Sequence, residues 1–270
     1  MSSGFPRLLL VAALALTAGA AGARELKVCA DPNNLPFSNA RGEGFENRIA
    51  ALVAQDLGAT VTYTWWAQRR GFIRNTLQAG LCDLVPGTML GLEMLRSTRP
   101  YYRSGYVFVT RADGPRISSF DDPALRDLRI GVQLVGDDGA NPPPAEALAR
   151  RGLAGHVVGY TVYGNYAEPS PAGRIVAAVA KGEIDVAVVW GPFAGYFAPR
   201  QPVPLTVTPV QPQTAGLMPM AFDIAMGVRR EDKPLAEEVN AALSRHRGEI
   251  DAILAQYGVP RLDRAEQAGP

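Results

Sequence analysis

The chain has 270 residues, 47% of them hydrophobic and 20% charged, with 28 Gly and 22 Pro, a profile that excludes a disordered, collagen-like or coiled-coil chain and leaves room for a large core in one or two domains. Lys and Arg number 27 against 26 Asp and Glu, a net charge of +1, and every base except Lys27, Lys181 and Lys233 is Arg. A chain this close to neutral makes no electrostatic case for nucleic acid or an anionic lipid surface.

The first element is a leader. Leu8 to Ala23 is an unbroken apolar and small-residue run after a single Arg7, closed by Ala21-Gly22-Ala23, the small-x-small pattern that signal peptidase cuts. A membrane-spanning helix wants about 20 apolar residues with anchoring flanks. Residues 1–23 are therefore expected to direct export to the periplasm, with no stable membrane span and a mature start near Arg24. Their removal takes one base and no acid, which brings the net charge to zero. In an oxidising compartment the two cysteines, Cys29 and Cys82, read first as a disulfide, with two buried free thiols as the alternative. Their spacing is not CxxC, so redox catalysis is not expected.

Leu26 to Ala30 reads as a strand that stops at the turn residues Asp31-Pro32-Asn33-Asn34. Phe45, Ile49, Leu52, Val53 and Leu57 lie on one helical face, and Gly58 stands where a C-terminal cap belongs. Thr60 to Trp65 is a second strand, Phe72, Ile73 and Leu77 before Gly80 mark a second helix, and Asp83 to Val85 a third strand. This β-α-β-α-β order predicts a parallel sheet flanked by helices with right-handed crossovers.

A long strand, Gly105 to Thr110, leads through a polar stretch into a second alternation. It comprises strands at Arg129 to Gln133, Val157 to Val162 and Ile184 to Trp190, and helices near Ala145 to Arg151 and Arg174 to Lys181. Gly136 to Asn141 reads as a turn, with Asn141 capping a helix that starts at Pro142; it lacks the ligand spacing of a calcium loop. Pro199 to Pro219, rich in Pro and Gln, reads as a connection, Phe222 to Val228 as a strand, and Leu235 to Tyr257 as a helix interrupted near Gly248. The expected architecture is α/β with two lobes, each a mostly parallel sheet flanked by helices, and a cleft between them. The expected boundaries are 24–110 with 220–262 for the first lobe and 111–219 for the second, followed by a tail at 263–270.

Catalytic patterns are scarce. His156 and His246 stand in no zinc-ligand pattern, His246 reading as a solvated helix residue, and there is no GxSxG, Walker or GxGxxG motif. No catalytic residue, metal site or resident cofactor is expected. Asp31, Glu93 and Glu168 are the only acids that an enzymatic reading could use. Polar and aromatic residues instead gather at the carboxyl ends of the strands, where open parallel sheets place their ligand crevice. Strand one ends in Asp31, Asn33, Asn34 and Phe37, strand two in Trp65, Trp66, Gln68, Arg69 and Arg70, and strand three in Gly87, Thr88 and Met89, with Glu93 beyond. The second lobe adds Gln133, Tyr163, Asn165, Tyr166 and Trp190. These residues are the candidate ligand- or partner-binding cleft.

The order Leu26-Lys27-Val28, Pro36-Phe37, Gly44-Phe45-Glu46, Leu77-Gln78-Ala79-Gly80, Arg99-Pro100-Tyr101-Tyr102, Gly182-Glu183-Ile184-Asp185 and Gly227 to Asp232 resembles the type II periplasmic solute-binding fold over most of the mature chain. Cys29 to Asn39, Gly44 to Asn47, Tyr101 to Thr110 and Trp190-Gly191-Pro192 with Ala194-Gly195-Tyr196 resemble, more narrowly, the MoxJ/XoxJ family. Those are binding-protein-like periplasmic proteins encoded beside pyrroloquinoline-quinone methanol dehydrogenases. The resemblance implies a hinge near Val109 to Arg111, with return around Val207 to Phe222.

The resemblance implies a comparison with amino-acid-binding relatives, which clamp a carboxylate with an Arg and an ammonium with an Asp; the positions it would assign to them here hold Met94 and Trp190. A buried ligand charge needs a partner, so zwitterionic amino acids are poor candidates unless Arg96 or Arg99 substitutes. Two functions follow from the resemblance. One is an accessory protein that grips a quinoprotein dehydrogenase, and its cytochrome c, to assist maturation or activation. The other is a transporter receptor that closes on a small non-amino-acid ligand, aromatic, quinone-like or amide-bearing, stacked on Trp65, Trp66 or Trp190.

Overall fold

A computed structural model describes residues 24–134, 142–216 and 218–263; the expected leader at 1–23, the expected turn at Gly136 to Asn141 and the residues beyond Asp263 lie outside them. The first half opens with β1 (Arg24–Ala30), α1 (Phe45–Asp56), β2 (Ala59–Trp65) and β3 (Leu84–Met89). Helix α1 buries Phe45, Ile49 and Val53, spaced four apart on one face. The Asn47 side chain accepts the Gly44 amide at 3.1 Å and satisfies a donor at the helix start. The helix ends at Gly58, whose φ of 62° suits glycine. The expected second helix is only one turn, Phe72–Asn75, because Leu77 is followed by Gln78-Ala79-Gly80 and the chain turns at Gly80, φ 72°.

Strand β4 (Tyr102–Arg111) leads into β5 (Ile130–Leu134), α2 (Pro143–Ala149), β6 (Val157–Thr161), α3 (Arg174–Lys181), β7 (Val186–Trp190) and α4 (Gly191–Phe197). Helix α2 begins one residue later than expected. The expected connection at 199–219 contains a strand, β8 (Leu205–Pro209), paired antiparallel with β4; flanking prolines are compatible with this edge position. Strand β9 (Ala221–Val228) and helices α5 (Lys233–Arg245) and α6 (Arg247–Gln256) complete the chain. The helical interruption falls at His246 rather than Gly248. That imidazole is not free in solvent: Nε2 meets Asp56 Oδ1 at 2.9 Å and Nδ1 meets Glu249 Oε1 at 2.6 Å.

The strands form one continuous sheet in the order β2-β1-β3-β9-β4-β7-β5-β6, with β8 beside β4. Pairing is parallel for β1 with β2 and β3, and for β5 with β6 and β7. Strands β4 and β9 are antiparallel to their neighbours. The two parallel ends are the lobes. Strand β4 joins them: Tyr102 to Gly105 pair with Ile224 to Ala221 of β9, whereas Tyr106 to Thr110 pair with Trp190 to Val186 of β7. The change of partner is crowded. A Cβ on Gly105 would lie 2.9 Å from the Met220 carbonyl oxygen, and one on Gly191 2.7 Å from the Gly105 carbonyl oxygen, so only glycine lets these backbones approach.

The largest core runs through both lobes, from Leu26, Phe45 and Ile49 to Val176, Val179 and Phe193. A separate core around Phe108, Ile117, Leu125 and Leu148 lies in the second lobe. A third, small one holds Cys29 and Cys82 with Phe72, Leu77, Val85 and Leu95. The cysteines form a disulfide with their Cα atoms 5.6 Å apart. Among the described residues no helix is long and apolar enough to cross a membrane.

Candidate functional site

A cavity of about 270 Å³ lies between the lobes. Its walls are seven aromatic rings: Phe37, Tyr102, Tyr106, Tyr163, Trp190, Phe193 and Phe222. Phe37 meets Phe193 edge-on across the lobes at 5.0 Å, and Trp190 meets Tyr106 and Phe222 at 5.4 and 5.9 Å. Asn34, Glu46, Gln68 and Gln133 supply the polar lining, with Gly87 and Met89 at the end of β3.

These polar groups are unevenly satisfied. Gln133 is buried and accepts the Trp190 amide on Oε1 at 3.0 Å, which leaves its Nε2 without a partner. Asn34 donates to Gln68 Oε1 at 3.0 Å, and its buried Oδ1 has no partner. Glu46, in the first turn of α1 and 4% exposed, has its carboxyl pushed up to about 8 by burial. Its Oε1 lies 1.9 Å from where a Gly87 Cβ would stand; the missing side chain at Gly87 is the space that the carboxyl fills.

The expected cleft residues divide into three groups. Asn34, Phe37, Met89, Gln133, Tyr163 and Trp190 line the cavity. A second group joins the lobes. Asn33 donates to the carbonyls of Asn165 and Glu168 at 3.0 and 2.7 Å and accepts the Ser170 amide at 3.1 Å. Asp31 does not itself cross the cleft: it is buried in the first lobe and accepts the amides of Asn33 and Gln68 at 2.8 Å each, fixing the Asn33 turn; burial raises its carboxyl against the lowering effect of those two bonds. Arg69 lies against Gly164.

The third group faces away from the cavity. Trp65 stacks on Tyr63 at 4.4 Å, Trp66 and Tyr166 are exposed, and Thr88 is buried and donates to the Ala225 carbonyl. Glu93 is exposed, and Arg70 is not among the lining residues. Nor do the substitutes for the amino-acid clamp reach it: Arg96 is exposed on the Arg230 carbonyl, Arg99 is exposed, and Met94 is 39% exposed. The acid in the cavity is Glu46, while Glu168 pairs with Arg174 at 3.4 Å.

Asn33 closes the cavity, and its replacement is expected to loosen it. Asn33→Ala removes three hydrogen bonds between lobes, a loss of about 2 kcal/mol for the closed arrangement. Amide exchange across 162–170 should accelerate and the radius of gyration in solution should rise; unchanged exchange there would refute the latch.

Sheet order and the strand shared between lobes define the two-lobed fold of the periplasmic binding proteins. The model for bacterial extracellular solute-binding proteins, family 3, matches residues 26–260. The chain belongs, within that class, to the MoxJ/XoxJ family. It is 35% identical to Protein MoxJ of Methylorubrum extorquens over 88% of this chain and 81% of that one. It is 32% identical to Protein MoxJ of Paracoccus denitrificans over 93% and 94%. The crystal structure of periplasmic binding protein XoxJ from Methylobacterium extorquens AM1 superimposes with a TM-score of 0.72 at 36% identity, over 88% of this chain and 99% of that one.

Proposed function

We propose that the protein is a periplasmic, non-catalytic accessory of a pyrroloquinoline-quinone methanol dehydrogenase system, using calcium or a lanthanide, and binds the dehydrogenase to assist its maturation or activation. The observation that carries this is the character of the cleft: seven aromatic rings, Trp190 among them, line it, and no Arg, Lys or His does among the described residues. Met89, lining the cavity yet 42% exposed, and its neighbour Leu90, 47% exposed, offer apolar anchors at the mouth. In this reading the hinge lies where β4 changes partner at Gly105 and Tyr106, a few residues before the expected Val109 to Arg111, so residues 106–110 move with 111–219 rather than with the first lobe.

Binding of the purified dehydrogenase tests the proposal. Trp190→Ala is expected to weaken it at least tenfold, the loss typical of a buried aromatic anchor. Absence of binding by the unaltered protein would overturn the accessory role. The cavity between the lobes itself favours a second reading, a transporter receptor for a small ligand, which recovery of a small molecule without dehydrogenase from periplasmic extract would support.

A further inference from the structure

We propose that the cavity is a site for an organic ammonium group, held in a cage of aromatic faces with the Glu46 carboxylate beneath it and a neutral oxygen of the same ligand facing Gln133. This goes beyond the accessory role and does not depend on it.

The lining supports one sign of charge only. Among the described residues that line the cavity there is no Arg, Lys or His, while Glu46 is an acid. An anionic or zwitterionic ligand would bury a carboxylate against a carboxyl group with no compensating donor of positive charge. An uncharged aromatic ligand would leave Glu46 unused. An alkylated ammonium instead meets what the walls provide: Trp190, Tyr106, Tyr163 and Phe222 line the cavity, aromatic rings attract a desolvated cation through their negative faces, and the carboxylate neutralises it. The two unpartnered atoms complete the match. Asn34 Oδ1 is an acceptor for an N–H or a polarised C–H beside the charge, and Gln133 Nε2 is a donor for a hydroxyl or carbonyl oxygen.

Among the described residues no cation shifts the Glu46 carboxyl; burial alone acts on it. The ionisable groups that feel its charge are Tyr63, Tyr101, Tyr102 and Tyr163. A bound cation supplies the missing partner and drives off the proton that burial retains, so binding tightens as pH rises from about 6 to 9 and releases protons to the buffer.

The chemistry has two sources, a free small cation or a lysine side chain presented by a partner protein. Calorimetry on the purified protein with three probes decides the matter: choline, its uncharged carbon isostere 3,3-dimethylbutan-1-ol, and Nα-acetyl-lysine methylamide. At least one cation should bind tenfold or more tightly than the isostere, and Glu46→Gln should abolish that margin while keeping the isostere's affinity. Tighter choline assigns the site to a free solute; a tighter lysine derivative assigns it to a partner's side chain. Equal affinity for charged and uncharged probes, an unaffected Glu46→Gln variant, or no heat from any probe at millimolar concentration would overturn the proposal. None of these results bears on dehydrogenase binding, which is measured separately.

Discussion

Exchanging Glu46 for glutamine is expected to stabilise the fold by about 5 kcal/mol at about pH 9 and to leave it unchanged near about pH 4. The carboxyl lies at about 8 in the folded protein against 4.5 when exposed, through burial. Below the lower value both states hold the proton and no difference arises. Between the two values the unfolded chain releases its proton while the folded chain keeps it, so stability falls by about 1.4 kcal/mol per pH unit. Above about 8 the penalty is complete. Glutamine keeps the shape of the protonated acid and abolishes the titration. Denaturant unfolding of both proteins across this range checks the expectation; parallel profiles would show that Glu46 is solvated.

Loss of the Cys29–Cys82 bridge should have an effect of similar size and no pH dependence. The bond closes a loop with a sequence separation of 53, and confining that loop in the unfolded chain contributes about 4 kcal/mol by the chain-entropy relation. It ties the end of β1 to the turn before β3, strands already in parallel register at Val28 and Leu84. A double Cys29→Ala, Cys82→Ala variant leaves no buried thiol to complicate the comparison. Its melting temperature should fall by about 8 to 16 °C. A drop of a degree or two would mean that the small core around Phe72 and Leu95 holds the loop unaided.

The alternation of strands and helices was legible because its signals are local: the four-residue spacing of Phe45, Ile49 and Val53, glycine at the helix end, and β-branched runs. Strand β8 was not, because Leu205–Pro209 is half-buried and set among prolines, and only its pairing with β4 makes it a strand. In the cavity, Asn34, Phe37, Met89, Gln133, Tyr163 and Trp190 followed from their places at strand ends. Tyr102, Tyr106 and Phe222 did not, because they sit within or at the start of strands whose role depends on the crossing between lobes. Glu46 was hidden for a different reason. An acid in the first helical turn is what the helix dipole favours anywhere on a surface, and nothing local reveals that Gly87, forty-one positions away, opens the space that buries it. The disulfide stood as the first reading of the cysteine pair because composition and compartment together argue for it.

The lending of β9 to the first sheet governs the order in which the molecule can assemble. Strands β1 to β3 come early in the chain, yet the edge of β3 is completed only by residues 224–228, after the whole second lobe. Until then that edge presents unpaired amides, and the apolar face of α1 awaits α5 and α6. Folding of the first lobe is thus expected to be paced by long-range closure rather than by its local helices.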